Sequence, residues 1–292
     1  MLKSVTKPKL GIFFFIIGII LLINAMCLIV LVGWGFLKSL QSVEGYIMSG
    51  ASETSLPTSI SQITFDNYFS AFKKLRYGNT YLAEMFGNSI FYAVVGAIIS
   101  VAVPCVVAYL TATFDFWFNK VISFVIYFTM VFTVYGSQPS MIVVTNALGL
   151  YNTWPGIFIM KASFIGGGYL FYYGTFRSMS KEYAEAAIID GASNFQVMTQ
   201  IAFPLASTII FVQYVSTFIT LWNDYQTPMV YLSSYPTASY GLFLFSKATS
   251  SYEDYLIYKV AGFMLLLIPT FTVFMCLKKY LLREITEGGV KE

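Results

Sequence analysis

The sequence predicts an all-α polytopic membrane protein: six transmembrane helices, with a polar helical loop on the cytoplasmic side between the fourth and fifth. Three observations carry that reading. Only 11% of the 292 residues are charged and 57% are hydrophobic, whereas soluble domains carry about 25% charged residues. Residues 10–37, 85–114, 121–160 and 260–277 contain no charge at all, and an apolar run of about 18 residues is long enough to cross the hydrocarbon as a helix. Against that background, EYAEAAIIDGASNFQVMTQIAFPLA, residues 182–206, is amphipathic and carries Glu182, Glu185 and Asp190.

The first span is residues 10–37. Lys3, Lys7 and Lys9 precede it as they would a signal peptide. The apolar stretch exceeds the roughly 7–15 residues of a signal core and shows no small-x-small site, so an uncleaved span is expected. The longest loop follows, residues 38–83. Its first half, rich in Ser, Gly and Thr, reads as irregular. Then TFDNYFSAFKKL places Phe65, Phe69 and Phe72 at helical spacing, which predicts a short amphipathic helix against the outer face of the bundle, for packing or for a partner.

Span two is residues 84–113 with Pro104 inside, and span three is 121–145 with Pro139 inside. Span four is 155–176, with Pro155 suited to a first helical turn. Span five is 203–221, continuing irregularly through Pro228, and span six is 255–277. Proline is tolerated within spans where neighbouring helices re-satisfy the freed backbone groups. The chain thus reads as one transmembrane domain, residues 1–292. It has a five-helix core at 84–282, an added N-terminal span, an external loop at 38–83, a polar loop at 178–203 and a tail at 279–292.

An even span count puts both termini on one side. That side collects Lys3, Lys7, Lys9, Lys120, Arg177, Lys181, Lys278, Lys279, Arg283 and Lys291, against Lys38, Lys73, Lys74, Arg76 and Lys247 opposite. The positive-inside rule makes the richer side cytoplasmic. Lys161, near the outer end of span four, is expected to snorkel to the outer surface.

Much chemistry is excluded. Histidine is absent, which removes the usual proton shuttle and commonest metal ligand. Cys27, Cys105 and Cys276 lie far apart in apolar runs, with neither metal-ligand spacing nor a disulfide framework. No catalytic or metal site is expected, and no basic run points to nucleic acid. GxxxxGK[ST] does not occur, so no cofactor is expected in this chain and any nucleotide must be held elsewhere.

In the polar loop, Ser180 suits an N-cap, with Glu182 where the helix dipole favours an anion. Gly191 suits a left-handed stop, and Ser193 with Gln196 forms a capping-box pattern for a second helix. Ala184, Ala186, Ala187 and Gly191 keep one surface nearly free of side chains. Such a loop either lies on lipid headgroups or docks a cytoplasmic partner.

Glu185-Ala186-Ala187, three residues, Gly191, nine residues, Ile201, one residue, Phe203, Pro204 closely resembles the EAA motif of bacterial ABC-importer permease subunits, departing only by Phe203 for leucine. FGNSIFYAVVGAIIS, FRSMSKEY, WNDYQTPMVYL and the tail Thr286-Glu287-Gly288-Gly289-Val290-Lys291 are similar to the six-span, maltose-permease-like type of carbohydrate-uptake permease. Two features depart from that type: Gly166-Gly167-Gly168 interrupts span four, and Lys161 sits near its outer end.

The resemblance implies a multi-pass subunit of the bacterial plasma membrane, itself not an enzyme, with the coupling helix at Glu185, Ala186, Ala187, Gly191, Ile201 and Pro204. It implies a second homologous permease, a dimeric ATP-binding cassette ATPase holding ATP and Mg, and an extracytoplasmic binding protein delivering a sugar or oligosaccharide. A permease for a non-carbohydrate solute or an ion-coupled secondary transporter is the alternative. For the substrate path, intramembrane polar and aromatic groups are the candidates: Asn88, Tyr135, Gln138, Asn146, Gln213, Trp222, Asn223 and Asp224. Interhelical hydrogen bonding, worth about 0.6–2 kcal/mol, is the competing role for each.

Overall fold

The computed structural model describes residues 11–132, 138–247 and 254–287. The chain falls into two compact units. One runs to Leu75 and includes the segment ending at Leu265; the other starts at Arg76 and includes the segment from Leu266.

The first unit begins with α1, Ile12–Ser39. None of the most apolar window of this helix is buried within the chain. A helix hydrophobic on every side and uncovered by protein is one that faces lipid. Its end is held by polar contacts. Lys38, fully buried, donates to the Ser52 carbonyl at 3.1 Å, the Ser55 carbonyl at 2.8 Å and Ser55 Oγ at 2.9 Å. The loop beyond is less irregular than its composition suggests, because Ser42 accepts from the Gly45 N–H at 3.1 Å and starts α2, Val43–Met48. A 3-10 turn follows at Ile60–Gln62.

The expected helix after it is present as α3, Asp66–Lys74, but its phenyl spacing does not mark the inward face. Phe65 and Phe69 are 63% and 70% exposed, whereas Asn67, Ala71 and Leu75 are buried. Asn67 donates to the carbonyls of Ser39 and Gln41 at 2.8 Å each. Buried carbonyls at a helix end demand partners, and supplying them sets the rotation of α3.

The second unit opens with a two-residue antiparallel pair, β1 (Arg76–Tyr77) and β2 (Thr80–Tyr81). Next comes the 32-residue α4, Leu82–Thr113, with Pro104 inside it. Ala93, Gly96, Ala97, Ala108 and Ala112 are buried along α4, and small residues let helices approach closely in a membrane. Then come α5 (Asn119–Val131), α6 (Gln138–Ala147), α7 (Trp154–Lys161) and α8 (Gly167–Ser178). The polar loop contributes α9 (Glu182–Ile189), α10 (Asn194–Val197), a π-turn at Met198–Ala202 and α11 (Phe203–Leu205). The last elements are α12 (Ser207–Asn223), α13 (Gln226–Tyr231), α14 (Ala238–Lys247) and α15 (Asp254–Glu287), the part of α15 up to Leu265 belonging to the first unit.

Both α8 and α12 pack along α4. One buried cluster gathers Tyr109, Tyr169, Tyr172 and Phe176, and another gathers Tyr92, Ile157, Leu221 and Trp222.

Among the described residues, α1, α4 and α15 are long and apolar enough to cross a membrane. The segment from α10 to α12, bent by 74°, makes a fourth if taken as one span. Expected span four is a helix pair instead, and over expected span three the described residues form α5 and α6. α5 and α6 flank residues 133–137, which lie outside the described residues. Between α7 and α8 the chain leaves the helix at residues 162–166. Thr153 caps α7 by accepting from the Gly156 N–H at 3.2 Å. After Lys161 no side chain caps the restart, and Gly166 takes φ +142°, which glycine alone adopts readily.

Candidate functional site

The polar loop folds as a self-capped knob. Lys181, not the expected Ser180, is the N-cap of α9 and brings no side-chain cap bond; the Ser180 hydroxyl accepts from the Glu182 N–H at 3.3 Å one residue ahead of it. At its other end Gly191 has φ +90°. The Gly191 N–H donates to the Ile188 carbonyl at 3.0 Å, and the Ala192 N–H to the Ala187 carbonyl at 2.9 Å. That pair of bonds is the Schellman closure. One residue later Ser193 restarts the chain with a complete capping box, its N–H donating to Gln196 Oε1 at 2.8 Å and its hydroxyl accepting from the Gln196 N–H at 3.3 Å.

No residue of α9 is buried. The knob nevertheless displays Ile188, Ile189, Tyr183 and Phe195, with Ile189 85% exposed. Isolated exposed apolar residues need no explanation, but a group of them on a polar loop marks a contact surface. Of the sequence-predicted residues, Ala186 and Gly191 lie on the outside, and Ala187 is half-buried. Glu185 and Ile201 come together on a cleft of about 490 Å³, also lined by Arg177 and Lys181. Pro204 is exposed. The π-turn precedes it, where the proline ring would otherwise press on the Gln200 carbonyl.

Phe203, the position that departs from the motif, anchors the knob. Its ring lies 6.1 Å from Tyr109 on α4 and 6.1 Å from Phe176 on α8, and those two are 5.4 Å apart. The pair with Tyr109 is edge-on and the pair with Phe176 tilted; aromatic contacts of this kind contribute about 0.5–1.5 kcal/mol beyond area burial.

A second polar group lies between α4, α7 and the end of α12. Lys161 does not snorkel outward: its Nζ is 3.6 Å from Asp224 Oδ2 and 5.7 Å from the centre of the Tyr92 ring. Tyr92 donates to the same carboxylate oxygen at 2.9 Å, and the Thr227 N–H donates to Oδ1 at 3.0 Å. An ammonium within reach of a carboxylate in an apolar surrounding pairs with it, because neither charge is otherwise compensated.

A family model described as "Binding-protein-dependent transport system inner membrane component" matches residues 104–287. The chain belongs to this family. Among similar proteins, the diacetylchitobiose uptake system permease of Streptomyces coelicolor is 24% identical, over 92% of this chain and 86% of its own. The melibiose/raffinose/stachyose import permease of Bacillus subtilis is 25% identical, over 78% and 82%. In the crystal structure of a bacterial ABC transporter involved in import of the acidic polysaccharide alginate, one chain superposes with a TM-score of 0.74. It is 25% identical, over 95% of this chain and 99% of that one.

The permease is therefore a multi-pass membrane subunit of a binding-protein-dependent importer, all-α as its sequence predicts. Its candidate path residues are scattered. Asn88 donates to the Pro236 carbonyl at 3.0 Å, and Asn223 to the Ile219 carbonyl of its own helix at 2.8 Å. Trp222 is 1% exposed and its indole N–H is spent on the Leu266 carbonyl at 3.0 Å. Gln138 and Asn146 are exposed on α6, and Tyr135 lies outside the described residues. Gln213 lines a cavity together with Lys161. Sequence reasoning missed Tyr92 and the pairing of Lys161 with Asp224. The signal was present as two opposite charges, each isolated in apolar sequence.

Proposed function

We propose that this permease moves a sugar or oligosaccharide, handed over by an extracytoplasmic binding protein, through a pathway shared with a second homologous permease. The knob at residues 180–205 docks on a separate dimeric ATPase, which binds ATP and Mg. Both termini and the knob are cytoplasmic. The single observation that carries the docking is that α9, at the EAA positions, has no buried residue, is closed by a Schellman motif and displays apolar side chains. The relatives named for sugars support the cargo class.

The chain's own contribution is mechanical. Closure of the ATPase dimer around ATP shifts α9, which its Schellman motif keeps a rigid piece. The Phe203 anchor passes that shift to α4 and α8, and the bend at Ala206 passes it to α12. Tilting these helices exchanges an inward-open for an outward-open cavity.

Gly191→Trp tests the docking. Nothing lies within 4 Å of the position a Cβ would take there, but φ +90° is a conformation that other residues rarely adopt, so the variant both projects a ring into the space a partner would fill and strains the closure of α9. Insertion is retained, while ATPase co-purification and uptake are lost. Normal uptake with normal ATPase binding would sink the assignment.

A further inference from the structure

The break between α7 and α8 opens on a cavity of about 310 Å³ within the second unit. Non-helical backbone at membrane depth is tolerated only where protein buries it or where it lines a water-filled space. Residues 162–166 are such backbone, and Ser163 and Gly166 are in the cavity wall. Ser100 of α4, Lys161 at the end of α7, Tyr169 and Tyr172 of α8, and Gln213 and Thr217 of α12 are also in the lining.

Gln213 and Thr217 stand one helical turn apart, hence on one face. Among the described residues neither side chain makes a hydrogen bond, whereas Ser100 is engaged by the Lys161 carbonyl at 3.3 Å and Ser163 by the Ile165 N–H at 3.2 Å. The α12 wall thus holds an amide and a hydroxyl without hydrogen-bond partners among the described residues, in a lining that also includes Tyr172. Lys161 is the charged residue of the lining and is paired with Asp224, which lies outside it, so its charge is compensated rather than offered to an acidic cargo. The volume is at the low end of the roughly 300–1,000 Å³ of small-molecule sites, room for one ring rather than a chain of them.

We propose that this cavity is a substrate subsite on this subunit, taking one ring of a neutral, hydroxyl-rich sugar against Gln213 and Thr217. The proposal rests on the importer reading above and says where on this chain the cargo passes. The test uses the complete transporter in proteoliposomes with its binding protein. With Cys27, Cys105 and Cys276 replaced, Thr217→Cys is labelled by a methanethiosulfonate reagent during turnover, with and without sugar. Sugar is expected to slow labelling several-fold. In the otherwise native chain, Gln213→Leu is expected to lower the sugar moved per ATP hydrolysed by about tenfold, the loss of roughly one hydrogen bond's worth of stabilisation.

Sugar uptake by the parent transporter with unprotected labelling and an unchanged ratio in Gln213→Leu would overturn the subsite and leave the importer reading standing. Binding-protein-dependent uptake of a non-sugar solute alone would overturn both.

Discussion

The coupling knob and the interrupted fourth span are both places where a helix stops and restarts within a few residues, and they are held in different ways. At the knob every closing bond is local: Ala192 to Ala187, Gly191 to Ile188, Ser193 to Gln196. At the fourth span local bonds, from the Ala162 N–H to the Phe158 and Ile159 carbonyls and from the Ile165 N–H to Ser163, are joined by contacts from other helices: Ser100 to the Lys161 carbonyl, Asp224 to Lys161, Thr111 to Tyr169 at 2.8 Å. A locally closed piece keeps its shape while it is pushed, which suits a lever. A break held in part by its neighbours changes when they move, which suits the wall of a cavity that must open and close.

The largest effect expected from breaking this contrast is at Asp224. Asp224→Ala leaves the Lys161 ammonium without its carboxylate in a site where both side chains are only about one-fifth exposed. Stranding one member of such a pair costs about 3 kcal/mol. Thermal unfolding of the detergent-solubilised permease measures it. The double replacement Lys161→Met with Asp224→Leu removes both charges and is expected to recover most of the loss. A double variant no better than the single would show that the pair does not hold the break.

This division also explains what was legible beforehand. Gly191 as a stop, Ser193 with Gln196 as a restart, and α1, α4 and α15 as spans depend on neighbours in sequence, so residue type and spacing suffice to read them. The rotation of α3 does not. Phe65, Phe69 and Phe72 repeat at helical spacing, yet Asn67 turns inward because the Ser39 and Gln41 carbonyls need its amide. The partner of Lys161 is likewise set by the packing of α7 beside the end of α12. The glycine run announces an interruption of span four, but the length of the gap depends on what surrounds it.

A smaller effect is expected where the broken span begins. A Cβ on Gly156 would fall 1.9 Å from the Leu150 carbonyl oxygen, so the backbone ahead of α7 has to shift. Overpacking of this kind costs about 2 kcal/mol. Gly156→Ala is expected to lower the unfolding temperature and to loosen the Thr153 cap, read as faster amide exchange at position 156. Unchanged stability and exchange would mean that this start yields more readily than the close contact indicates.

The smallest effect belongs to the knob itself. Ser193→Ala deletes the hydroxyl that accepts from the Gln196 N–H and leaves in place the reciprocal bond, from the backbone N–H of position 193 to Gln196 Oε1. Losing an N-cap costs about 1 kcal/mol. Because the knob is exposed and locally closed, that cost is expected to stay there, with amide exchange rising at 193–197 and the global unfolding temperature nearly constant. ATPase co-purification should fall only modestly, since Gly191 and the Schellman closure still end α9. If Ser193→Ala instead destabilised the whole permease as much as Asp224→Ala, the knob would be a cooperative part of the membrane core, and motion at α9 would reach α4 and α8 through the entire fold rather than through Phe203.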